Sequence, residues 1–232
     1  MSPGLSIVIP CLNEAPGIVR TLESLQPMRA RGAEVIVADG ASSDGTATLA
    51  APLADRLVHA PRGRAAQMNA GAAAASADIL LFLHADCVLP PAADALINQG
   101  LAASGRQWGR FDVVLDGSHP LLKVIAGMMN LRSRWTGIAT GDQGIFITRE
   151  LFARLDGFPA LPLMEDIALS RRARRAGAPL CLRAPIVTSA RRWERHGVVR
   201  TVLLMWRLRL AYFLGADPAR LALRYDAARA RD

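Results

Sequence analysis

Short apolar runs alternate with helical stretches through the first half of the chain. The runs are rich in β-branched or other apolar residues and lie at Leu5–Pro10, Glu34–Asp39, Arg56–His59 and Ile79–His84. Between them, Pro16–Leu25 has the apolar spacing of a helix and Arg64–Ala75 the alanine content of one. Strands that alternate with helices pair in parallel, because each helix returns the chain to the same end of the sheet. The pattern predicts an α/β fold with a Rossmann-like, mostly parallel sheet flanked by helices.

The second half of the chain has a looser pattern. It predicts strands at Arg110–Leu115 and Ile145–Thr148, and helices at Ala92–Ala103, Leu121–Arg134, Met164–Ala176 and Val198–Leu214. Neither a repeat nor a flexible linker divides the sequence, so we predict a single domain over residues 1–232.

With 232 residues, the chain is long enough to bury a substantial core. Its three cysteines are too few and too scattered for a disulfide framework, which favours a reducing compartment. The first residues lack the basic and apolar regions of a secretory signal, and no apolar stretch reaches the roughly 20 residues of a membrane span. We therefore expect a soluble, cytoplasmic protein.

Positive charge is concentrated towards the C-terminal end of the sequence. Residues 1–148 carry 11 Lys+Arg and 12 Asp+Glu, a net charge of −1, whereas residues 149–232 carry 17 and 8, a net charge of +9. Such a basic segment is suited to phosphates or to an anionic lipid surface. No motif indicates specific nucleic-acid binding.

Apolar residues recur at helical spacing in this basic segment, at Val198, Val202, Met205, Leu208 and Tyr212. Arg200, Arg207 and Arg209 lie between them, and we expect these arginines to face outward or towards lipid headgroups. The pattern predicts a helix that either docks peripherally on a membrane, such as the inner membrane surface, or a partner, or packs on the domain's own core.

Polar side chains follow three of the predicted strands where each strand ends. Asn13 and Glu14 follow the first, Asp39 ends the second, and His84 and Asp86 follow the most apolar one. Each can be a turn former or a helix cap. The carboxyl ends of parallel strands meet at one edge, however, where ligands bind in open α/β sheets. Oxygen ligands there suit a hard divalent cation that holds a substrate diphosphate.

Several enzyme classes lack support in the sequence. Neither the glycine-rich dinucleotide-binding fingerprint nor the phosphate-binding loop of nucleotide hydrolases is present. No G-x-S-x-G nucleophile elbow occurs either. These absences disfavour a nicotinamide-dependent dehydrogenase, a P-loop enzyme and an α/β-hydrolase.

A set of motifs in the chain resembles family 2 glycosyltransferases of the GT-A fold, in order and spacing. In the first half they are S-I-V-I-P-C-L-N-E, E-V-I-V-A-D-G-A-S-S-D-G-T, R-G-R-A-A-Q-M-N-A-G and L-L-F-L-H-A-D. In the second half they are G-D-Q-G-I-F-I-T-R-E-L-F-A-R-L-D-G-F-P, M-E-D-I-A-L-S-R-R-A-R-R-A-G and R-R-W. The chain is most similar to the small subgroup called radical-SAM/selenodomain-associated transferases. The resemblance implies three parts: a nucleotide-sugar half to about residue 115, an acceptor and catalytic half to about 197, and a helical extension.

The resemblance implies a donor site for a nucleotide-diphosphate sugar. Asp39 corresponds to the residue that binds the nucleotide base. The other implied donor contacts are Pro10, Asn13, Glu14, Arg64, His84, Ala85 and Arg192. For Arg64, an exposed arginine at a helix start is an equal alternative.

The metal-binding D-x-D motif of the family is altered here to H-A-D. Asp86 corresponds to its last acid, which implies a Mg²⁺ or Mn²⁺ ligand, and His196 is a second candidate. His84 stands where the first acid is expected, so chelation by two carboxylates of this motif is lost.

The second half contributes the implied acceptor side and the general base. Asp142, Gln143, Glu165 and Trp193 correspond to acceptor-side positions, although Trp193 either stacks on a sugar or simply packs. Asp166 matches the general base of an inverting enzyme. The alternative for Glu165 and Asp166 is a capping role, because acids are favoured in the first turn of a helix.

We therefore expect an inverting, metal-assisted glycosyltransferase that moves a sugar to the hydroxyl of a small or lipid-linked acceptor. A nucleotidyltransferase is disfavoured, since the first strand is not followed by a glycine-rich basic loop. The other alternative is a catalytically inactive nucleotide- or anion-binding protein that docks through its basic end.

Overall fold

A mixed β-sheet forms the centre of the molecule. The structure is a computed structural model, and it describes residues 4–229, with side chains at all of these positions except 192, 196, 226, 228 and 229. In this part of the chain the strands are β1 (Ser6–Cys11), β2 (Glu34–Asp39), β3 (Arg56–His59), β4 (Ile79–Phe82), β5 (Cys87–Val88), β6 (Trp108–Asp116), β7 (Ile145–Thr148) and β8 (Leu180–Ser189). Their order in the sheet is β3-β2-β1-β4-β7-β6-β8-β5, and all except β5 and β7 run in the same direction.

Helices pack on both faces of this sheet. They are α1 (Ala15–Ala30), α2 (Thr46–Ala50), α3 (Arg64–Ala74), α4 (Ala93–Ser104), α5 (Leu121–Thr136), α6 (Arg149–Arg154), α7 (Glu165–Ala176), α8 (Arg191–His196), α9 (Val198–Phe213) and α10 (Pro218–Arg229). One core lies between the sheet and helices α1 and α4. A second core lies on the opposite face, against α3, α6 and α7.

The central strands owe their position to continuous apolar sequence. Every residue of β1 and β2 is buried, as expected for parallel strands covered on both faces. Gly71 lets α3 lie close to β1, because a Cβ atom at this position would be 2.4 Å from Cγ1 of Val8. Cys11 pairs with Asp39 at the end of the two strands, so their polar loops emerge side by side.

Strand β7 brings the second half of the chain to the same edge. It is antiparallel to β4 and inserted between β4 and β6, with Ile145 opposite Phe82. The start of β7 therefore lies at the end of β4. The short 3₁₀ turn Gly141–Gln143, which precedes β7, consequently reaches the loop that carries His84 and Asp86.

The predicted α/β class and most predicted elements are confirmed. The strands at Glu34–Asp39, Arg56–His59 and Ile145–Thr148 have the predicted bounds. The strand predicted to reach His84 ends at Phe82, which leaves His84 in a turn. Strand β8 was not predicted, because Arg183 and Pro185 interrupt its apolar pattern, and its pairing with β6 shifts register between Phe111 and Asp112.

The C-terminal helices pack on the rest of the protein. Leu208 of α9 and Leu221 of α10 are buried against Met164 and Ile167 of the α7 region. Val198 is also buried, in a cluster with α5. Of the two alternatives for this segment, packing on the domain's own core is therefore confirmed for the inner face of α9.

Candidate functional site

The loops after β1 and β2 are held together by side chain to backbone hydrogen bonds. The Asn13 N–H donates to Oγ of Ser42 (2.9 Å), and Oδ1 of Asn13 accepts from the Ser43 N–H (2.9 Å). Asn13 adopts a left-handed backbone conformation with φ of 56°, which asparagine tolerates better than most residues. Asn13 thus fixes the loop geometry beside the end of β1.

Asp44 and Thr46 are structural in this loop pair. The Asp44 carboxylate accepts from the N–H groups of Ala15 and Thr46, both at 3.0 Å. Oγ1 of Thr46 in turn accepts from the Glu14 N–H (2.8 Å). These bonds fix Asp44-Gly45-Thr46 as a hydrogen-bonded turn between β2 and α2.

Asp39 is buried with one carboxylate oxygen unpaired. Its residue is 2% exposed, and Oδ2 accepts from the Ser42 N–H (3.1 Å). Oδ1 is buried and has no hydrogen-bond partner among the residues that the structure describes. A buried acceptor without a donor is costly, which marks Oδ1 as a site for a donor from a ligand. This fits the base-binding role that the resemblance implies for Asp39.

Gln67 is a supporting residue that sequence reasoning missed. It is buried on α3, and its Nε2 donates to the carbonyl oxygens of Cys11 (2.5 Å) and Ala38 (3.0 Å). It therefore joins the ends of β1 and β2 behind Asp39. Gln67 could have been found from the sequence, because it lies in the R-G-R-A-A-Q motif that resembles the family.

His84, Asp86 and Cys87 place three potential metal-ligand atoms within 4.8 Å of one another. Burial raises the pKa of the Cys87 thiol well above its usual range, and the Asp86 charge acts in the same direction. Its thiol donates instead to Oγ1 of Thr188 (3.2 Å). The His84 imidazole and the Asp86 carboxylate remain as ligands for a divalent cation, and both types of ligand suit Mn²⁺.

Asp142 brings a second carboxylate to this cluster from the other half of the chain. Its Oδ1 lies 3.4 Å from Nδ1 of His84. The His84 ring also packs directly on Gly141, where a Cβ atom would be 2.2 Å from Nε2. Only glycine permits this contact. The site therefore places an acid beside the position where the family motif has its first acid.

Asp166 is connected to the same turn. Its Oδ2 accepts from the Gly141 N–H (2.9 Å), and its Oδ1 accepts from the Ile167 N–H (2.7 Å). The second bond is a helix-start contact, whereas the first joins α7 to the turn below His84. The carboxylate is partly exposed and lines a small cavity of about 60 Å³. Both roles considered from the sequence, helix start and site residue, are compatible with these contacts.

Glu165 is buried next to Asp166. Burial raises the pKa of the Glu165 carboxyl, the Asp166 charge adds to this shift, and the Arg64 guanidinium opposes it. Nη1 of Arg64 is 4.0 Å from Oε1 of Glu165. Only 4% of the surface of Glu165 is exposed, but Glu165 lines the small cavity together with Arg64 and Asp166, so its acceptor-side role stays a prediction.

Gln143 is fully buried, although the sequence analysis placed it on the acceptor side. Its Oε1 accepts from the Thr140 N–H (3.3 Å), and its Nε2 donates to Oγ of Ser133 (3.0 Å). The amide holds the 3₁₀ turn against α5 and lines neither cavity. In this structure Gln143 therefore supports the position of Asp142.

A larger cavity of about 300 Å³ opens at the ends of β1 and β4. Among the predicted site residues, it is lined by Pro10, Glu14, Arg64, His84, Ala85, Asp86, Asp142 and Trp193. Burial raises the pKa of the Glu14 carboxyl, with a further contribution from Asp86. Arg64, His84 and Asp142 also line the small cavity that contains Asp166. The cation ligands and the candidate base thus lie in two adjoining spaces.

Helices α5 and α9 form the remaining walls of the larger cavity. Arg209 lines it, which corrects the expectation that this arginine faces outward. The inner face of α9 packs against the protein through Leu208, and the neighbouring Arg209 is directed into the site. Sequence periodicity did not predict this wall, because α9 is apolar on more than one face. The side chains of Arg192 and His196 lie outside the described part of the chain.

The comparisons with known proteins agree with this architecture. Residues 6–107 match the sequence model of glycosyl transferase family 2. Residues 6–107 belong to this family. A segment of 49 residues, 21% of this chain, is 51% identical to the succinoglycan biosynthesis protein ExoA of Rhizobium meliloti (strain 1021), of which it covers 15%.

Solved glycosyltransferases share the GT-A fold of this chain. The mannosyltransferase PcManGT from Pyrobaculum calidifontis, in complex with GDP-Man and Mn²⁺, superposes with a TM-score of 0.66 at 24% identity over 91% of this chain and 61% of its own. S. aureus TarS 1-349 gives 0.66 at 17% identity, over 80% of this chain and 60% of its own. Glucosyl-3-phosphoglycerate synthase from Mycobacterium tuberculosis, in complex with Mn²⁺, UDP and glucosyl-3-phosphoglycerate, superposes with a TM-score of 0.56 at 20% identity. The match covers 79% of this chain and 70% of that enzyme.

The chain thus spans about three fifths of the first two of these structures and a small part of ExoA. Within residues 4–229, none of the helices has the length and hydropathy needed to cross a bilayer.

Proposed function

We propose that this chain is an inverting glycosyltransferase that transfers a sugar from a nucleotide-diphosphate sugar to an acceptor hydroxyl. The observation that carries the proposal is the convergence at the turn Gly141–Gln143. His84 contacts Asp142 of this turn, and Asp166 accepts a hydrogen bond from Gly141. The residues for the diphosphate and for the acceptor are thereby held at one place.

The donor nucleotide lies at the ends of β1 and β2 in this proposal. Oδ1 of Asp39 accepts an N–H from the base, and Pro10 and Glu14 line the adjoining space. Arg64 faces the diphosphate, because a guanidinium matches phosphate oxygens in geometry and charge. Nucleotide ligands in the similar structures, GDP-Man and UDP, support this class of donor.

A divalent cation is held by Asp86 and His84 in this proposal. One carboxylate and one imidazole suit a cation that takes its other ligands from phosphate and water. When bound, such a cation offsets the charge that develops on the departing diphosphate. The Mn²⁺ in the complexes of PcManGT and glucosyl-3-phosphoglycerate synthase supports its use here.

The Asp166 carboxylate is the proposed general base. The acceptor oxygen attacks the anomeric carbon, the bond from this carbon to the diphosphate oxygen breaks, and the acceptor proton passes to Asp166. A single displacement of this kind inverts the configuration at the anomeric carbon. The N–H groups of Gly141 and Ile167 hold the carboxylate in a fixed orientation towards the small cavity.

Peripheral contact with an anionic membrane surface is also part of the proposal. The outer face of α9 exposes Val199, Leu203, Trp206, Leu210 and Phe213. Arg200 and Arg207 on the same helix are exposed as well. Flotation with vesicles that contain phosphatidylglycerol tests this contact. We expect association that salt weakens, and an absence of association with both neutral and anionic vesicles would reject it.

Donor hydrolysis tests the enzymatic proposal most directly. UDP-, GDP- and dTDP-sugars are incubated with the protein in Mn²⁺ and in chelator. We expect cation-dependent hydrolysis of one nucleotide class, and loss of this hydrolysis in Asp86→Asn but not in Asp78→Asn, an exposed control. No binding and no hydrolysis of any of these donors would reject the proposal.

A further inference from the structure

Two arginines from different helices line the larger cavity, and some of their buried nitrogen atoms have no hydrogen-bond partner among the described residues. Arg132 of α5 and Arg209 of α9 both line it. Nε and Nη2 of Arg132 and Nε of Arg209 are buried, and none of these atoms has a hydrogen-bond partner in the part of the chain that the structure describes. Arg110 and Arg134 share the carboxylate of Asp112, although Nε of Arg110 is likewise buried without a hydrogen-bond partner among the described residues.

The electrostatics of this arginine pair are unfavourable in the absence of an anion. Burial and the positive charge of Arg209 lower the pKa of Arg132 to about 10, so Arg132 remains charged at neutral pH. Burial also lowers the pKa of Arg209. Asp142 and Asp166 act on both guanidiniums through space and raise the pKa of each. Buried N–H groups of a charged side chain are costly to leave unbonded. The pair is therefore suited to bind an anion.

The surroundings of the arginines are mainly apolar. Ile125, Met128, Met129, Val202, Met205 and Trp206 line the same cavity. Met128 and Trp206 are also 47% and 55% exposed, so the lining continues onto the outer surface. On α5, Leu121, Val124, Leu131 and Trp135 are exposed at helical spacing with Met128, and α9 exposes Trp206 together with Val199, Leu203, Leu210 and Phe213.

We propose that Arg132 and Arg209 bind the phosphate or carboxylate of an amphiphilic acceptor, whose apolar chain leaves the cavity past Met128 and Trp206. This inference rests on the proposed function and names its acceptor class. We place the pair on the acceptor side because Arg209, like the proposed base Asp166, lines the small cavity, which Arg64 and His84 of the proposed donor side also line. Competition with UDP and GDP tests this placement. The anion then anchors an acceptor whose hydroxyl lies beside the base.

Binding of decyl phosphate tests this subsite without turnover. Calorimetry and the fluorescence of Trp193 and Trp206 report its affinity, with the neutral ester decyl dimethyl phosphate and inorganic phosphate as comparisons. The variants are Arg132→Gln and Arg209→Gln, and Arg175→Gln on the exposed face of α7 is the matched control. UDP and GDP binding in Mn²⁺ is measured for every variant, and thermal melting checks folding.

We expect decyl phosphate to bind the unchanged protein at least tenfold more tightly than either comparison ligand. Arg132→Gln and Arg209→Gln should each weaken it about tenfold or more, since each removes a charged hydrogen-bond donor to the anion. Arg175→Gln should bind like the unchanged protein. Nucleotide affinity should be retained throughout, because the arginines lie on the acceptor side.

Four results would overturn the proposal. Equal affinity for decyl phosphate and its neutral ester, or no effect of either variant, would exclude an anion subsite. Inorganic phosphate that binds as tightly as decyl phosphate would exclude the apolar chain and assign a soluble anion. Displacement of decyl phosphate by UDP or GDP in Mn²⁺ would assign the arginines to the donor diphosphate. A protein that binds decyl phosphate through both arginines but neither nucleotide would instead reject the proposed function.

Discussion

Nδ1 of His84 lies 3.4 Å from Oδ1 of Asp142, and this contact joins the two halves of the candidate site. His84 follows β4 in the half that matches family 2, whereas Asp142 precedes β7 in the other half. His84 stands where the D-x-D motif has its first acid, and Asp142, from the other half of the chain, places a carboxylate beside it.

Asp166→Asn should reduce sugar transfer by about 10² to 10⁴-fold, because the amide cannot take the acceptor proton. Donor affinity should change little, since Asp166 is proposed to face the acceptor. Asparagine retains one oxygen acceptor but loses one of the two backbone hydrogen bonds that Asp166 accepts, so thermal melting checks that the fold persists. Transfer kinetics and calorimetry with the donor nucleotide measure the two effects. Unchanged turnover would leave Asp166 with a role in the helix start alone.

Asp86→Ala should weaken UDP or GDP binding in Mn²⁺, because it removes the carboxylate ligand proposed for the cation. In chelator the variant and the unchanged protein should bind alike. Calorimetry under both conditions separates the contribution of the cation from that of the nucleotide. Equal affinity of the two proteins in Mn²⁺ would show that Asp86 is not a ligand.

His84→Asp should raise Mn²⁺ affinity and lower the melting temperature in chelator. The substitution places a third carboxylate near Asp86 and Asp142, where like charges repel one another unless a cation is bound. His59→Asp, at an exposed position at the end of β3, is the control and should alter neither property appreciably. A melting temperature in chelator that does not fall would contradict this account.

Gly141→Ala should disturb the site while Gly127→Ala should not. A Cβ atom at residue 141 would lie 2.2 Å from Nε2 of His84, so the turn or the ring must move. Its N–H bond to Asp166 should then be strained, and transfer should fall. At residue 127, in α5, a Cβ atom meets no atom within 4 Å, and alanine should add up to about 1 kcal/mol of stability. Thermal melting and transfer assays on both variants distinguish the outcomes.

Glu165→Gln should stabilise the protein at neutral pH and have less effect near pH 4. The pKa of Glu165 is raised in the folded state, so the folded protein binds the proton more tightly than the unfolded chain. The contribution of Glu165 to stability is therefore lost as pH rises above its usual pKa of 4.5. The difference in melting temperature between variant and unchanged protein, followed from pH 4 to 7, measures this effect. A difference that shrinks as pH rises would have the wrong sign.

The sequence predicted the parts of the fold that depend on local pattern. The buried strands β1 and β2 are continuous apolar runs, and their carboxyl-end residues Asp39 and Asn13 lie together, because parallel strands end at one edge. The placement of Asp86 beside this edge follows from the same rule, since β4 pairs with β1.

The parts that depend on long-range packing could not be predicted. The contact between His84 and Asp142 follows from insertion of β7 next to β4, which no local pattern specifies. The inward direction of Arg209 depends on which face of α9 packs on the protein. Gln143 was assigned to the acceptor side by motif, and its burial follows from the position of Ser133 on α5. The single-domain division and the subgroup remain predictions.

The residues proposed for the donor and those proposed for the acceptor lie in different parts of the sequence, and the antiparallel strand β7 brings them together. Asp39 and Asp86 lie within residues 6–107, and Asp142, Asp166 and both cavity arginines lie after them. In the proposed function, the residues that recognise the nucleotide therefore lie within the segment that matches the family, whereas those that select the acceptor lie outside the central parallel strands. A chimaera that retains residues 1–107 and exchanges the remainder should keep its donor and acquire a different acceptor.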